Sequence, residues 1–152
     1  MKIELKNGFI CLVGFIDEFA EYDELLKMPR PLKINMRGIQ SVNSQGFKMW
    51  VTFVAQLAEH HLELYECPLA FIDLVNFVPT AASKSGKPDP IKSVMVPYSC
   101  LSCSMPGALA LEVSRIKIDG AEVSVPALAC PSCKNPVIME VDPDDYFVFL
   151  CD

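Results

Sequence analysis

The stretch Leu32-Lys33-Ile34-Asn35-Met36-Arg37-Gly38-Ile39-Gln40-Ser41-Val42-Asn43-Ser44-Gln45-Gly46-Phe47 changes its hydrophobic period part-way along. In its first half Leu32, Ile34 and Met36 alternate with Lys33, Asn35 and Arg37. A period of two is that of a strand with one buried face, expected here over residues 32–39. From Phe47 onward the apolar residues Phe47, Trp50, Val51, Val54, Leu57 and Ala58 recur three and four apart. That spacing lays one apolar stripe along a helix, expected over residues 45–61. Ser44 stands at the junction, where its hydroxyl can cap the helix by accepting a first-turn amide. Gly46 leaves room for another group to approach. A buried strand running into a helix that packs back on it is the unit of an α/β fold.

Working outward, the same alternation of elements continues. Residues 3–5 and 9–16 read as strands joined by Asn7-Gly8, a strong two-residue hairpin signal. Asp17 is placed to cap a helix over 18–28, which Pro29 and Pro31 end. Residues 62–66 form a short strand, and Pro68 suits the first turn of a helix that Pro79 stops. The run Thr80-Ala81-Ala82-Ser83-Lys84-Ser85-Gly86-Lys87-Pro88-Asp89-Pro90 has no hydrophobic period and reads as a linker. It divides the chain into an α/β domain, 1–90, and a β-rich module, 91–152. Ile91, Val94 and Val96 are nevertheless too apolar for a linker, and a sheet ending at 62–66 would have a bare edge. The strand over 91–98 is therefore expected to join the two parts. Beyond it, residues 112–118 and 121–125 flank the turn Asp119-Gly120, and 136–141 and 146–150 flank Asp142-Pro143-Asp144-Asp145.

Composition narrows the function classes. The net charge is −6, and from residue 98 onward Arg115, Lys117 and Lys134 face eight acidic residues. A nucleic-acid partner needs a basic face, so none is expected. No apolar run approaches the ~18 residues of a membrane helix. The alternation Ile3-Glu4-Leu5-Lys6 directly after Met1-Lys2 is unlike a secretory signal. These readings place the protein, soluble, in the cytoplasm.

Four of the seven cysteines form two pairs, Cys100-x-x-Cys103 and Cys130-x-x-Cys133, separated by a hairpin. A two-residue gap lets one tight turn present both sulfurs, and zinc takes four thiolates tetrahedrally. Four thiolates leave no open coordination position, which predicts one structural rather than catalytic zinc per chain. Two redox pairs, or four unmetallated thiols, are the rival readings. A redox pair of the thioredoxin kind would sit alone at the start of a helix, whereas these sit among strands and prolines. Cys11, Cys67 and Cys151 lie in apolar surroundings and read as inert core thiols. The paired spacing resembles the zinc ribbon family, whose members commonly serve as structural or docking units.

A second resemblance covers the first ~80 residues. Gly14-Phe15-Ile16-Asp17, Leu32-Lys33-Ile34-Asn35-Met36 and Val42-Asn43-Ser44-Gln45-Gly46 look like the corresponding segments of a STAS domain, the family of sulfate transporters and anti-sigma factor antagonists. The resemblance implies a mixed sheet with packed helices and a partner-docking, phosphorylatable serine. That position is Ser44, flanked by Asn43, where the family usually has aspartate, and by Gly46 two residues on. It further implies a serine kinase or anti-sigma factor as partner. A final helix is usual in the family, and a linker and ribbon stand in its place here.

The remaining candidates have plainer readings. His60 and His61 suit the end of a helix, Glu63 and Glu66 read as strand surface charges, and Asp142, Asp144 and Asp145 lack a calcium-loop pattern. With no phosphate-binding glycine loop and no nucleophile elbow, no catalytic residue is assigned. The expected function is that of a non-enzymatic regulatory interaction module. A scaffold subunit that docks through the ribbon, and a cysteine-based redox enzyme, are the alternatives.

Overall fold

The structure, a computed structural model, describes residues 1–151. Strands β1 (Lys2–Lys6) and β2 (Phe9–Ile16) form an antiparallel hairpin. Its two turn residues, Asn7 and Gly8, both have positive φ, 51° and 81°, as a tight primed turn requires. The chain then forms α1 (Asp23–Lys27), β3 (Leu32–Val42), α2 (Ser44–Ala55), β4 (Leu62–Tyr65) and α3 (Leu69–Phe77). β2, β3 and β4 are parallel, and the sheet order β1-β2-β3-β4 follows the sequence. β3 buries Leu32, Ile34 and Met36 and turns Lys33 and Arg37 outward, so its period-two pattern is realised in full. Trp50, Phe53 and Val54 of α2 and Phe71, Ile72 and Val75 of α3 complete that core.

β5 (Ser93–Ser99) runs alongside β4 through parallel bridges Leu64–Ile91 and Cys67–Val94. Four backbone hydrogen bonds, among them Leu64 to the Pro90 carbonyl and Met95 to the Cys67 carbonyl at 2.7 and 2.8 Å, satisfy the edge of β4. β5 also pairs antiparallel with β6 (Pro106–Glu112) and with the short β9 (Ile138–Met139). β7 (Lys117–Asp119) and β8 (Glu122–Ser124) form a separate hairpin, and α4 (Pro143–Tyr146) follows β9. One buried cluster extends from Ile10 through Val94, Val96 and Leu111 to Tyr146 and Phe147. The chain before and after residue 90 therefore shares a core, joined by the strand at 91–98 as its apolar residues imply.

Several elements differ from expectation. The helix expected over 18–28 is confined to α1, and Asp17 instead accepts from the Phe19 amide at 3.0 Å in a turn. The short loop hydrogen bond outcompetes helix initiation, as aspartate side chains commonly do. α2 ends at Ala55 and not at His61, and His60 has φ 64°, a left-handed residue that reverses the chain. The segment 80–90 is exposed only in part. Ala81 and Ala82 are fully buried, and the Ala81 carbonyl accepts from the Trp50 indole at 2.9 Å. The small residues 81–83 reflect close packing, not solvation. The strand expected over 146–150 is helical: Asp142 accepts from the Asp144 amide and Pro143 opens α4, an N-cap and N1 pair. β6 begins inside Met105-Pro106-Gly107, which by sequence reads as a turn after the first cysteine pair. The β7–β8 loop is Gly120-Ala121, one residue beyond the Asp119-Gly120 expected. Among the described residues no helix is long and apolar enough to cross a membrane.

Candidate metal centre

The hairpin of β5 and β6 turns at the first cysteine pair. Ser99 pairs with Pro106, leaving residues 100–105 as the loop that presents Cys100 and Cys103. The second pair is carried by a matching loop closed by the Ala129–Pro136 bridge, the Cys130 amide donating to the Asn135 carbonyl at 2.8 Å. β9 then docks that loop onto β5 through Tyr98–Met139 and Ser99–Ile138. The four sulfurs converge to within 4.8 Å of one another. Two close separations cross between loops, Cys100–Cys133 at 3.4 Å and Cys103–Cys130 at 3.6 Å. All four thiols are free. A disulfide needs about 2.05 Å between sulfurs, so the spacing is that of neighbouring ligands and not of a bond.

The two loops repeat one geometry. Ser104 and Lys134, each directly after the second cysteine of its pair, have left-handed φ of 51° and 63°. Non-glycine residues rarely adopt this conformation, and here it turns the chain so that amides face the sulfurs. The amides of Cys133 and Ser132 hold the Cys130 thiol down to about 6, helped by the Cys103 and Cys133 sulfurs and opposed by burial. The Cys103 amide likewise lowers Cys100. The Met105 amide pulls Cys103 down, but Cys100, burial and the other two sulfurs outweigh it and push that thiol up to about 12. One low and one high thiol in contact is what four crowded sulfurs require, since adjacent thiolates repel until a cation neutralises them. The four cysteines thus form a closed set of donors able to hold one metal ion.

Cys100 and Cys130 are buried while Cys103 and Cys133 are partly exposed. Tyr98 covers the inner side, packed with Cys100, Cys130, Leu109 and Val137 in a small cluster separate from the main core. Burial, and then the Cys130 sulfur, raise its hydroxyl. The packing of Tyr98 on Gly107 and the left-handed turns at Ser104 and Lys134 escaped the sequence reading, which takes Met105-Pro106-Gly107 and Lys134-Asn135-Pro136 only as turn segments after the cysteine pairs. Only a glycine opposite an aromatic residue on a paired strand would have signalled that packing, and positive φ at Ser or Lys leaves no trace in composition.

The other candidate position, the β3–α2 turn, differs in detail from expectation. Asn43, not Ser44, is the N-cap: its Oδ1 accepts from the Gly46 amide at 2.8 Å, and its Nδ2 donates to Glu18 at 2.8 Å. The asparagine side chain reaches the third amide beyond it, so Ser44 becomes the first helical residue, exposed, its hydroxyl not spent on the cap. Gly46 is buried. A Cβ there would lie 2.2 Å from the Ile16 carbonyl oxygen, so the chain's own β2 occupies the space that glycine leaves. Cys67 is fully buried and its thiol is pushed up by that burial, while Cys11 and Cys151 are half-buried. His60 and His61 are exposed, Glu63 accepts from the Tyr65 hydroxyl, and Glu66 lies 3.6 Å from Arg37.

No family model, curated protein or solved structure matches this chain.

Proposed function

We propose that this protein is a non-enzymatic regulatory interaction module: a STAS-like α/β sheet that docks a protein partner at the Ser44 turn, extended by a structural zinc ribbon. The observation that carries the reading is Ser44 itself. It lies exposed at the start of a twelve-residue helix while Asn43 does the capping. A phosphate there would meet the helix dipole favourably, adding about −1.5 to −2 charge without unfolding the turn. A partner packed over the turn would meet that charge and bulk directly. Glu18, hydrogen-bonded to the cap, already sets a carboxylate beside it. The sequential strand order with a leading antiparallel hairpin supports the STAS resemblance, and a serine kinase or anti-sigma factor is the partner class it implies.

Zinc suits the cysteine centre. Tetrahedral zinc at about 2.3 Å from each thiolate sets the sulfurs about 3.8 Å apart. The cross-loop separations of 3.4 and 3.6 Å lie close to that spacing. Four ligands and no vacancy make the ion structural. A second reading, docking through the ribbon, is favoured by Leu101, Met105 and Ile138, which stand 76, 59 and 54 % exposed around the cysteine loops.

The test is a pull-down from the source cell with wild type, Ser44→Asp and Ser44→Ala, together with phosphosite mapping after incubation of the chain with extract and ATP. Loss of one partner for Ser44→Asp alone, with phosphate on Ser44, is expected. Identical partners for all three variants would overturn the Ser44 reading. Partners lost only on replacing Leu101 and Met105 would move the docking site to the ribbon.

A further inference from the structure

The sheet turns Ile10, Leu12, Ile34, Met36 and Leu64 into the core and leaves Phe9, Cys11, Asn35 and Tyr65 on the opposite, more open face. On that open face, where β2–β4 meet the β5–β6 hairpin, lies a cavity of about 290 Å³ lined by Phe9, Asn35, Tyr65, Glu66, Ala110 and Glu112, with Ser93 at its base. Phe9 and Tyr65 meet at a near right angle, interplanar 80° with centroids 4.9 Å apart, and form an aromatic corner. Glu66 stands in the left-handed region, φ 50°, held by its amide donating to the Ser93 hydroxyl at 2.8 Å. Ser93 is only 5 % exposed, so this support is rigid. A left-handed non-glycine backbone pinned beside a cavity is strain of the kind that gathers at functional sites.

The charges around the cavity are unbalanced at its wall. Two carboxylates, Glu66 and Glu112, line it, and no lysine or arginine does. Glu66 shares its carboxylate with Arg37 in an exposed pair, so Glu112 is the wall carboxylate with no ion-pair partner, while Lys6, opposite Phe9 in the β1–β2 register, pairs with Glu4. Arg37 lies 3.6 Å from Glu66 with most of its side chain in solvent, Lys33 is opposite Glu63 on the neighbouring strand, and the Lys92 ammonium donates to the Asp89 carbonyl at 2.8 Å. Glu63 is occupied by the Tyr65 hydroxyl, at 2.7 Å. An aromatic corner facing two carboxylates is the arrangement that attracts an organic cation, since ring quadrupole and carboxylate act in the same direction.

We propose that this cavity binds an alkylammonium group, free or at the end of a lysine side chain, against the Phe9–Tyr65 corner with Glu66 and Glu112 as counter-charges. The site is independent of the Ser44 turn and stands or falls apart from it. Phe9 and Tyr65 supply the apolar contact, and Asn35 and Ser93 fix the floor. A small metal cation holds its water shell more tightly than an alkylammonium group and so gains less from the rings, and an anion would be repelled.

The experiment titrates the full-length, nitrogen-15-labelled chain with tetramethylammonium chloride and with Nα-acetyl-lysine amide, following amide shifts by NMR. Sodium chloride and the neutral isostere tert-butanol are the controls. Saturable shifts at Phe9, Tyr65, Glu66 and Glu112 are expected for at least one ammonium probe and for neither control, and the tighter probe identifies the source of the ammonium. Glu112→Gln, at an exposed position, and Phe9→Leu should each weaken binding by about three- to thirty-fold. Equal shifts with tert-butanol or sodium chloride, no saturable shift with either ammonium probe, or unchanged affinity in both folded variants would overturn the proposal.

Discussion

The ring of Tyr98 fills the space that a side chain at Gly107 would take. The two residues are directly paired across β5 and β6, and a Cβ on Gly107 would lie 2.8 Å from the Tyr98 hydroxyl and 2.9 Å from the ring. Tyr98 in turn packs on Cys100 and Cys130. Gly107→Ala should therefore push the ring toward the sulfurs and cost about 1–3 kcal/mol, the usual penalty of overpacking. Chemical denaturation measures it. Combining Gly107→Ala with Tyr98→Leu should cost less than the sum of the single changes, since the clash is then gone.

Removing the proposed zinc should loosen one end of the molecule. Tyr98, Cys100 and Cys130 form a cluster of their own, whereas Val94, Val96, Leu111, Tyr146 and Phe147 belong to the main core. Chelation, or Cys130→Ser, should raise hydrogen exchange over about residues 98–109 and 128–139 while β1–β4 stay protected, because binding and local folding are coupled. Elemental analysis of protein purified without added metal should find one zinc per chain. Uniform exchange across the chain after chelation would refute the separation.

The cap at α2 predicts opposite behaviour for two adjacent residues. Asn43→Ala removes the acceptor for the Gly46 amide and the tie to Glu18, and should cost about 0.5–2 kcal/mol. Ser44→Ala should fall within about 0.5 kcal/mol of wild type, since the hydroxyl does no capping. Ser44→Asp should be no worse, because a negative charge in the first turn suits the dipole. Urea melts of the three variants check the order.

Trp50→Phe should free the segment after α3. The indole donates to the Ala81 carbonyl at 2.9 Å inside the core, and phenylalanine leaves that carbonyl buried and unpaired. A loss of about 1–3 kcal/mol is expected, with faster proteolysis near Lys84 and Lys87, which are already exposed.

Alkaline pH should destabilise the fold. Burial raises Tyr22, with a contribution from Asp17, raises Tyr146, and raises Tyr65 to about 12 with the help of Glu63 and Glu112. These tyrosines ionise more readily in the unfolded chain, at about 10. Their contribution is therefore intact below pH 10 and falls as pH rises from there toward 12. Tyrosinate absorbance should lag behind that of an unfolded control and then rise together with loss of the fold. Titration of all tyrosines near pH 10 with the fold intact would contradict the burial.

Much of this architecture was legible in local pattern. Leu32, Ile34 and Met36 announced β3, the Phe47–Trp50–Val54 spacing announced α2, and Asn7-Gly8 announced the first hairpin with its turn geometry. The cysteine pairs were legible because a two-residue gap is itself a local geometry. Errors gathered where two local readings compete. Asp17 offered both a cap and a turn, and Asp142-Pro143 offered both a turn and a helix start; in each the hydrogen bond actually made decided.

The sequence by itself determined the strand and helix periods, the pairing of cysteines into two loops and the acidity of the second half, because each depends on neighbours within a few residues. Long-range packing alone set Ala81 against Trp50, placed β5 on the edge of β4, let Asn43 relieve Ser44 of capping, and brought Phe9, Tyr65, Glu66 and Glu112 to one cavity. Those are contacts between residues tens of positions apart. Their energies depend on which surfaces meet once the chain has closed, and no local period records that.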